Sequence, residues 1–413
     1  MPPPVTEDPT QARERAMLRN LRVLPWWWVL RWVWLGEGIW VIYLTAERGI
    51  TLGEVLLFQA AYSVMVVAAE MPTGMLADRW GRRLSVVLGC VAAVGAPLIF
   101  GLADALPLLL VSYVVFALAE ALFSGADSAI LFDTLQALGR DDEFSRWQAR
   151  ERTIAAGATG IFTLVGALLV RWVPLYVPFV ISALVTIPGI ALALLLTEPP
   201  RHDRGRSFVG IGLAAVRAVA GRRVLVASAV LMGLVTVAIH TMGINLQPVA
   251  ISYGAPVWSL GIFVGVQLAF SALSAAIADR LGRRIGLTAV FLSMPLISAL
   301  ALLGGVGGHA WLYPVFILPS LGWNVLWPYV TDYIARRVDD DIRATALSVA
   351  SVTTHLMTIA ALPLIGLGID RRGRDEGLVL AAVVVALASL AVFAIWWRAG
   401  DHVSAAAEAY PVD

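Results

Sequence analysis

Long apolar segments recur along the whole chain and are separated by short polar ones. Each is about 20 residues long, the length of helix that crosses ~30 Å of hydrocarbon, and each is apolar on all sides. The pattern predicts an all-α membrane protein. The twelve predicted transmembrane helices are 23–46, 53–77, 84–104, 106–135, 153–171, 174–196, 223–247, 257–279, 285–305, 309–334, 344–368 and 377–397.

The longest polar gap, 197–222, divides this pattern into six helices and six helices. We therefore predict a tail at 1–22, bundles at 23–196 and 223–397, and a tail at 398–413. Within the gap, apolar residues interleave with arginines, which predicts an amphipathic helix at the membrane surface; a flexible linker is the alternative. Arg31 and Glu37 interrupt the first apolar run, so we interpret it as a retained helix and not as a signal peptide.

Composition excludes several classes of protein. Hydrophobic residues make up 59% of the chain and charged residues 14%, against about 25% charged residues in a soluble domain. A net charge of +1 offers no basic field for nucleic acid. Cys90 is the single cysteine, which excludes a disulfide framework and a cysteine-based metal site. We expect no cofactor and no metal, and the chain shows no catalytic motif of an enzyme.

The arginines predict the orientation, because they concentrate on the inner side of a membrane. With both termini in the cytoplasm, the predicted outer segments contain only Arg48, Arg171, Arg371, Arg372 and Arg374. We expect a multi-pass monomer in the bilayer of a bacterial-type inner (plasma) membrane.

One motif occurs twice. Ala-Asp-Arg-x-Gly-Arg-Arg closes the second predicted helix at 77–83 and the eighth at 278–284. The copies are about 200 residues apart and hold equivalent places in the two halves. A repeat at half the chain length is the pattern of a duplicated transporter.

With Gly74, the first copy resembles the G-x-x-x-D-R-x-G-R-R hallmark of the major facilitator superfamily; the second copy has Ala275 in place of the first glycine. The motifs E-x-P-T-G at 70–74 and D-T-L at 133–135 resemble a poorly characterised bacterial branch. The resemblance implies two pseudo-symmetric six-helix bundles, alternating access and a small-molecule substrate. It also implies a gating role for the loop residues, although the arginines alone would also fix topology. These residues are Gly74, Asp78, Arg79, Gly81, Arg82, Arg83, Asp279, Arg280, Gly282, Arg283 and Arg284.

Charged residues inside the predicted helices are the candidates for proton coupling, because a charge in hydrocarbon is costly unless it faces a cavity or a partner. Glu120 and Asp127 are seven residues apart, so a continuous fourth helix would place them on one face. A carboxylate in an apolar cavity can hold a proton near neutral pH. We select Asp127 and Glu120 first and Glu37 next, with Arg31 as a partner for one of them or as a site for an anionic solute.

The second half carries mostly neutral polar residues within its helices, so we expect solute contacts there. Aromatic residues beside acidic groups favour lipophilic cations. The cavity candidates are Trp40, Tyr43, His240, Asn245, Gln247, Gln267, Trp323, Asn324 and Trp327. Structural roles at the inner rim are expected for Glu70, Asp133, Glu143, Arg150, Asp332 and Arg343, and Glu143 with Arg150 resembles a charge pair of the family.

Secondary active transport is the predicted function, and proton-coupled efflux of a drug or metabolite is the first hypothesis. A proton-symport importer or a uniporter is the alternative. A membrane sensor or scaffold that does not transport is a hypothesis of another class, which the retention of both loop motifs disfavours. The fifth helix lacks the proline of many drug antiporters, and Ala121 replaces their fourth-helix arginine, which weakens the export hypothesis.

Overall fold

The computed structural model describes residues 9–199, 217, 219–339 and 342–399, and these form helices and turns without a strand. The predicted helix in 197–222 and the tail at 398–413 lie mostly outside the described residues. The structure differs from the predicted tail at 1–22, because a helix already begins at Pro9 and continues into the apolar run.

Thirteen longer helices follow in chain order along the described residues. In the first half they are α1 (Pro9–Leu30), α2 (Leu52–Trp80), α3 (Arg82–Leu102), α4 (Leu106–Phe123), α5 (Ala126–Ala137), α6 (Phe144–Leu169) and α7 (Val177–Leu195). In the second half they are α8 (Arg223–Ser252), α9 (Leu260–Ile285), α10 (Leu287–Ala301), α11 (Pro319–Ala335), α12 (Arg343–Arg372) and α13 (Arg374–Arg398).

Ten helical segments among the described residues are long and apolar enough to cross a membrane. The first and tenth predicted helices are present in pieces. After α1, the chain forms a 3₁₀ turn at Leu35–Gly38, a short α turn at Trp40–Ile42 and a π turn at Tyr43–Glu47. Two short turns precede α11 in the same way. The protein is therefore a multi-pass helical membrane protein, and its first and tenth expected helices are discontinuous.

The fourth predicted helix is divided at Gly125, whose φ of +74° belongs to the left-handed region that favours glycine. Helix α4 ends at Phe123 and α5 begins at Ala126. The shared face predicted for Glu120 and Asp127 depended on a continuous helix, and the structure corrects that prediction.

The chain forms two compact units. One unit contains the residues up to Gly38 and those from Met65 to the end of α7. Its helix α3 packs along α4 and α7. Its buried core includes Trp27, Cys90, Phe123 and Ile130.

The other unit contains Ile39–Val64 together with helices α8 to α13. Helix α8 packs along α12, and Phe291 and Trp396 are buried in the core. The predicted bundles, 23–196 and 223–397, therefore differ from this grouping by residues 39–64. One tie explains the difference: the Asp370 carboxylate of α12 accepts hydrogen bonds from Thr51 Oγ1 at 2.8 Å and the Gly53 amide at 3.0 Å.

Candidate functional site: a charged cluster beside a broken helix

The break after α1 frees backbone amides that hydrocarbon cannot satisfy. In the first unit, the Val33 amide donates to Thr186 Oγ1 at 3.4 Å, and the Leu35 amide donates to Ser182 Oγ at 2.9 Å. Both acceptors belong to α7. Irregular backbone at membrane depth is tolerated where other helices supply such partners, and broken helices mark binding sites in transporters.

Two glycines let neighbouring helices approach the break closely. A Cβ atom on Gly166 of α6 would lie 1.8 Å from the Leu35 carbonyl oxygen, and one on Gly189 of α7 would lie 2.7 Å from the Leu30 carbonyl oxygen. Any larger residue would displace the backbone at the break. The unwound segment therefore packs directly against α6 and α7.

Arg31 lies at the first residue after α1 and binds two carboxylates. One guanidinium nitrogen is ion-paired with Asp127 Oδ2 of α5, and the other contacts Glu151 Oε1 of α6 at 2.6 Å. The three side chains are 16–19% exposed. Asp127 also accepts the Ser128 amide at 2.6 Å. With all three groups ionised, this charged cluster has one more negative than positive charge.

Aromatic rings border the cluster. The Arg31 guanidinium carbon lies 5.1 Å from the centre of the Trp27 ring and 5.9 Å from that of Phe123. Trp27 is fully buried, and its indole nitrogen donates to Cys90 Sγ at 3.2 Å. Low polarity on this side strengthens the attraction between Arg31 and its two carboxylates.

The structure thus brings together Arg31 and Asp127, as the sequence analysis selected them, with a third member that it missed. Glu151 lies just before residue 153, where the fifth predicted helix begins, whereas α6 already begins at Phe144. A signal was present: Trp147 and Ile154 are two turns apart, and this spacing extends the helix backward through Glu151.

The other carboxylate candidates are outside this cluster. Glu120 is exposed on α4. Glu37 lies in the 3₁₀ turn and is hydrogen-bonded to the Trp34 side chain. Neither joins Asp127 on a common helix face.

In the second unit, two cavity candidates join α9 to α11, and two others lie on α11 against the hydrophobic core. Gln267 Nε2 donates to Ser320 Oγ at 2.8 Å, and Asn324 Nδ2 donates to Ser271 Oγ at 2.9 Å. Trp323 and Trp327 are half-buried and stack with ring centres 5.3 Å apart and an interplanar angle of 18°. We call these four residues the neutral cluster.

Three other candidates are buried and hold backbone or side-chain groups instead. Gln247 Oε1 accepts the Val41 and Ile42 amides at 3.0 and 3.2 Å, so it completes the hydrogen bonding of the broken first helix. Asn245 donates to a carbonyl of its own helix at 2.9 Å. The buried Tyr43 hydroxyl accepts from Arg48 at 2.6 Å. The cavity role of these three residues stays a prediction.

The remaining two candidates are partly accessible. Trp40 is half-buried in the short turn before the π turn. His240 of α8 is half-buried. No group of three or more metal-ligating side chains occurs within the described parts of the chain.

The family model of the Major Facilitator Superfamily matches residues 34–362, which is most of the chain. The chain belongs to the major facilitator superfamily. It is therefore a transporter of a small substrate and not an enzyme. No protein of curated function matches it.

Solved transporters share the fold at low sequence identity. A variant of the nucleoside transporter NupG is 14% identical at a TM-score of 0.73, with 92% of this chain and all of that chain covered. A transporter of the POT family in complex with 5-aminolevulinic acid is 14% identical at 0.71, covering 94% and 97%. A bacterial homologue of the human lysosomal transporter Spinster is 16% identical at 0.65, covering 96% of both chains.

The first copy of the superfamily loop motif is held by acids from other elements. Helix α2 ends at Trp80, and Gly81 adopts a φ of +110°. The Arg82 guanidinium is ion-paired with Asp133 of α5. The Arg82 and Arg83 amides donate to the two Glu198 carboxylate oxygens at 3.0 and 2.8 Å.

Two other members of this copy contribute less. Arg79 is exposed over the Trp80 ring, and a Cβ on the exposed Gly74 would meet no atom within 4 Å. The side chain of Asp78 lies outside what the structure describes.

The second copy lies within a continuous helix. Asp279 and Arg283 pair at 2.6 Å on the exposed surface of α9, 67% and 54% exposed. Gly282 is buried against Tyr329, and the turn comes four residues later at Gly286, whose φ is +80°. Arg280 and Arg284 are exposed.

At the predicted rim, Glu143 binds Arg140 at 2.7 Å and accepts from Trp147 at 3.2 Å. Arg150 lies over the Trp147 ring at 5.2 Å, so the pair of Glu143 with Arg150 that the resemblance implied is not formed. The other rim residues have local partners or are exposed. Asp332 pairs with Arg336 at 2.8 Å, Arg343 donates to the Ala335 carbonyl at 3.1 Å, and Glu70 is exposed.

Proposed function

We propose that this transporter exports a small amphipathic cation in exchange for protons, with Asp127 and Glu151 as the proton-binding pair and Arg31 as their positioning partner. The observation that supports this function is one guanidinium bound by two carboxylates beside a broken helix. The pair has one carboxylate more than Arg31 can neutralise.

The excess carboxylate supplies the exchange. With one proton on either acid, the three groups are neutral together. Loss of that proton leaves one negative charge, which attracts a cationic solute in a site of low polarity. Because proton and cation then compete for the same charge, binding of one releases the other.

The neutral cluster supports the choice of an amphipathic solute. Two stacked tryptophan rings offer faces that attract cations and apolar groups. Gln267 and Asn324 offer amide groups for hydrogen bonds in the same unit. In this proposal these residues contact the solute.

Everted inner-membrane vesicles test the direction of transport. With tetraphenylphosphonium as the probe and respiration acidifying the vesicle interior, export predicts accumulation that collapses when the pH gradient is dissipated. Vesicles without the protein give the background. Uptake only into right-side-out vesicles under an inward proton gradient would replace the proposal with proton symport.

Variants test the assigned residues. Asp127→Asn and Glu151→Gln should each reduce proton-driven accumulation at least about tenfold, because either change removes the excess negative charge of the cluster. Glu120→Gln tests the sequence-based alternative, and Glu143→Gln removes a carboxylate of the adjoining loop as the control. Full activity of Asp127→Asn, or equal losses in all four variants, would contradict the assignment.

A further inference from the structure

A groove of about 690 Å³ lies between α1 and α6 in the first unit, outside the charged cluster. The residues that matter for its chemistry are three arginines, two tryptophans and one isoleucine. They are Arg22, Trp26, Arg140, Trp147, Arg150 and Ile154.

Both walls change from basic to apolar within one turn. On α1, Arg22 is followed one turn later by Trp26, and on α6, Arg150 is followed one turn later by Ile154. Trp26 is 69% exposed, and exposed tryptophan favours the level where membrane meets water. The groove therefore crosses from headgroup depth into hydrocarbon depth.

The basic end of the groove has positive charge that is not neutralised. Arg140 is held by Glu143. Arg22 and Arg150 are exposed and have no ion pair among the described residues, and Arg150 is steadied over the Trp147 ring. Two guanidinium groups at the end of an apolar groove complement a phosphate that carries hydrocarbon.

We propose that this groove binds one anionic phospholipid. Its phosphate lies between Arg22 and Arg150, and an acyl chain follows Trp26 and Ile154 into the hydrocarbon. A free phosphate would leave the apolar half of the groove unused. A zwitterionic lipid would add the positive charge of its headgroup to a site that already has two guanidinium groups without an ion pair.

The site does not depend on the proposed proton exchange, because none of its residues belongs to the charged cluster. It does involve the same helices: Arg31 directly follows α1, and Arg150 directly precedes Glu151 on α6. A bound lipid would brace α1 against α6 next to that cluster.

Native mass spectrometry of the purified chain measures the preference directly. We expect phosphatidylglycerol to be retained about tenfold more than phosphatidylcholine. Arg22→Gln with Arg150→Gln should remove this preference. Arg146→Gln with Arg152→Gln removes the same charge from exposed positions of α6 that do not line the groove, and it should change the preference less than about twofold. Equal losses in both double variants would show diffuse attraction and overturn the proposal.

A second measurement keeps every arginine. Phosphatidylglycerol with brominated acyl chains should quench tryptophan fluorescence more than brominated phosphatidylcholine, and Trp26→Phe should remove most of the difference. An undiminished difference in this variant would place the acyl chain elsewhere. Displacement of the lipid by millimolar inorganic phosphate would mean an anion site and not a lipid site.

Discussion

The two copies of the Ala-Asp-Arg-x-Gly-Arg-Arg motif have nearly the same sequence and different structures. In the first copy, the helix ends before Gly81, whose φ is +110°. In the second copy, the helix continues through Gly282 and ends at Ile285, so the turn is displaced by four residues to Gly286.

The difference follows from what the surrounding elements provide. In the first copy, Asp133 and Glu198, which lie far along the chain, bind the side chain of Arg82 and the amides that begin α3. In the second copy, Arg283 finds its acid one turn back on its own exposed helix. A shared motif therefore does not imply a shared structural role, and we expect the charged contacts of the first copy to matter more for stability than those of the second.

The largest effects should come from the two glycines, for different reasons. Gly81→Ala forces a side chain into a backbone conformation that costs about 1–3 kcal/mol. Gly282→Ala places a Cβ 2.2 Å from the buried Tyr329 ring, and such overpacking also costs about 1–3 kcal/mol. Unfolding of the purified protein in detergent measures both losses.

Tyr329→Leu separates the two causes. The loss in stability of the double variant with Gly282→Ala should be smaller than the sum of the two single losses, because Tyr329→Leu removes the ring that clashes. With Gly81→Ala, the two losses should simply add. Similar coupling with both glycines would mean that the copies are more alike than their backbones indicate.

Asp133→Asn should have the next largest effect. It leaves the Arg82 guanidinium without its charged partner at a position where the two side chains are 28% and 14% exposed. We expect a loss of about 2 kcal/mol, below that of a fully buried pair because solvent screens part of the charge. Unfolding measured at low and high salt checks this; a loss no larger than that of Asp279→Asn would remove the distinction between the copies.

Glu198→Gln should cost about 1 kcal/mol, since the amide keeps one acceptor oxygen for two amides at the start of α3. Glu376→Gln is the matched control, because Glu376 lies exposed in the first turn of α13. Hydrogen exchange of the first turn of α3 should speed up in the first variant alone. Unchanged exchange there would show that Glu198 does not cap the helix.

Asp279→Asn should have the smallest effect, at most about 0.5 kcal/mol, because exposed pairs one turn apart contribute little. The same unfolding measurement applies. A loss above that of Glu198→Gln would mean that the second copy has a structural role that its exposed surface does not reveal.

Sequence reasoning predicted what depends on local pattern. The apolar runs predicted the helical membrane fold, and the repeat predicted the family; both are confirmed. Arg31 and Asp127 were selected because charges are rare at membrane depth, and the structure joins them.

The rest depends on tertiary contacts. The first residues of α6 are mostly polar, so the apolar pattern did not predict the start of this helix, and Glu151 was missed with it. In sequence alone, a glutamine in an apolar helix, such as Gln247, resembles a solute-binding residue. The structure shows that its side-chain oxygen accepts two backbone N–H groups of the broken first helix. The sequence did not indicate the break at Gly125 either, since glycine is common inside membrane helices.

The burial of Cys90 has a practical consequence for following the transport cycle. The chain has no other cysteine, and this thiol is fully enclosed beside Trp27. Thiol-reactive spin labels and fluorophores therefore meet almost no background in the native protein. Cysteines introduced in place of Thr51 and Asp370 would report by spectroscopy whether the start of α2 and the end of α12 separate during turnover.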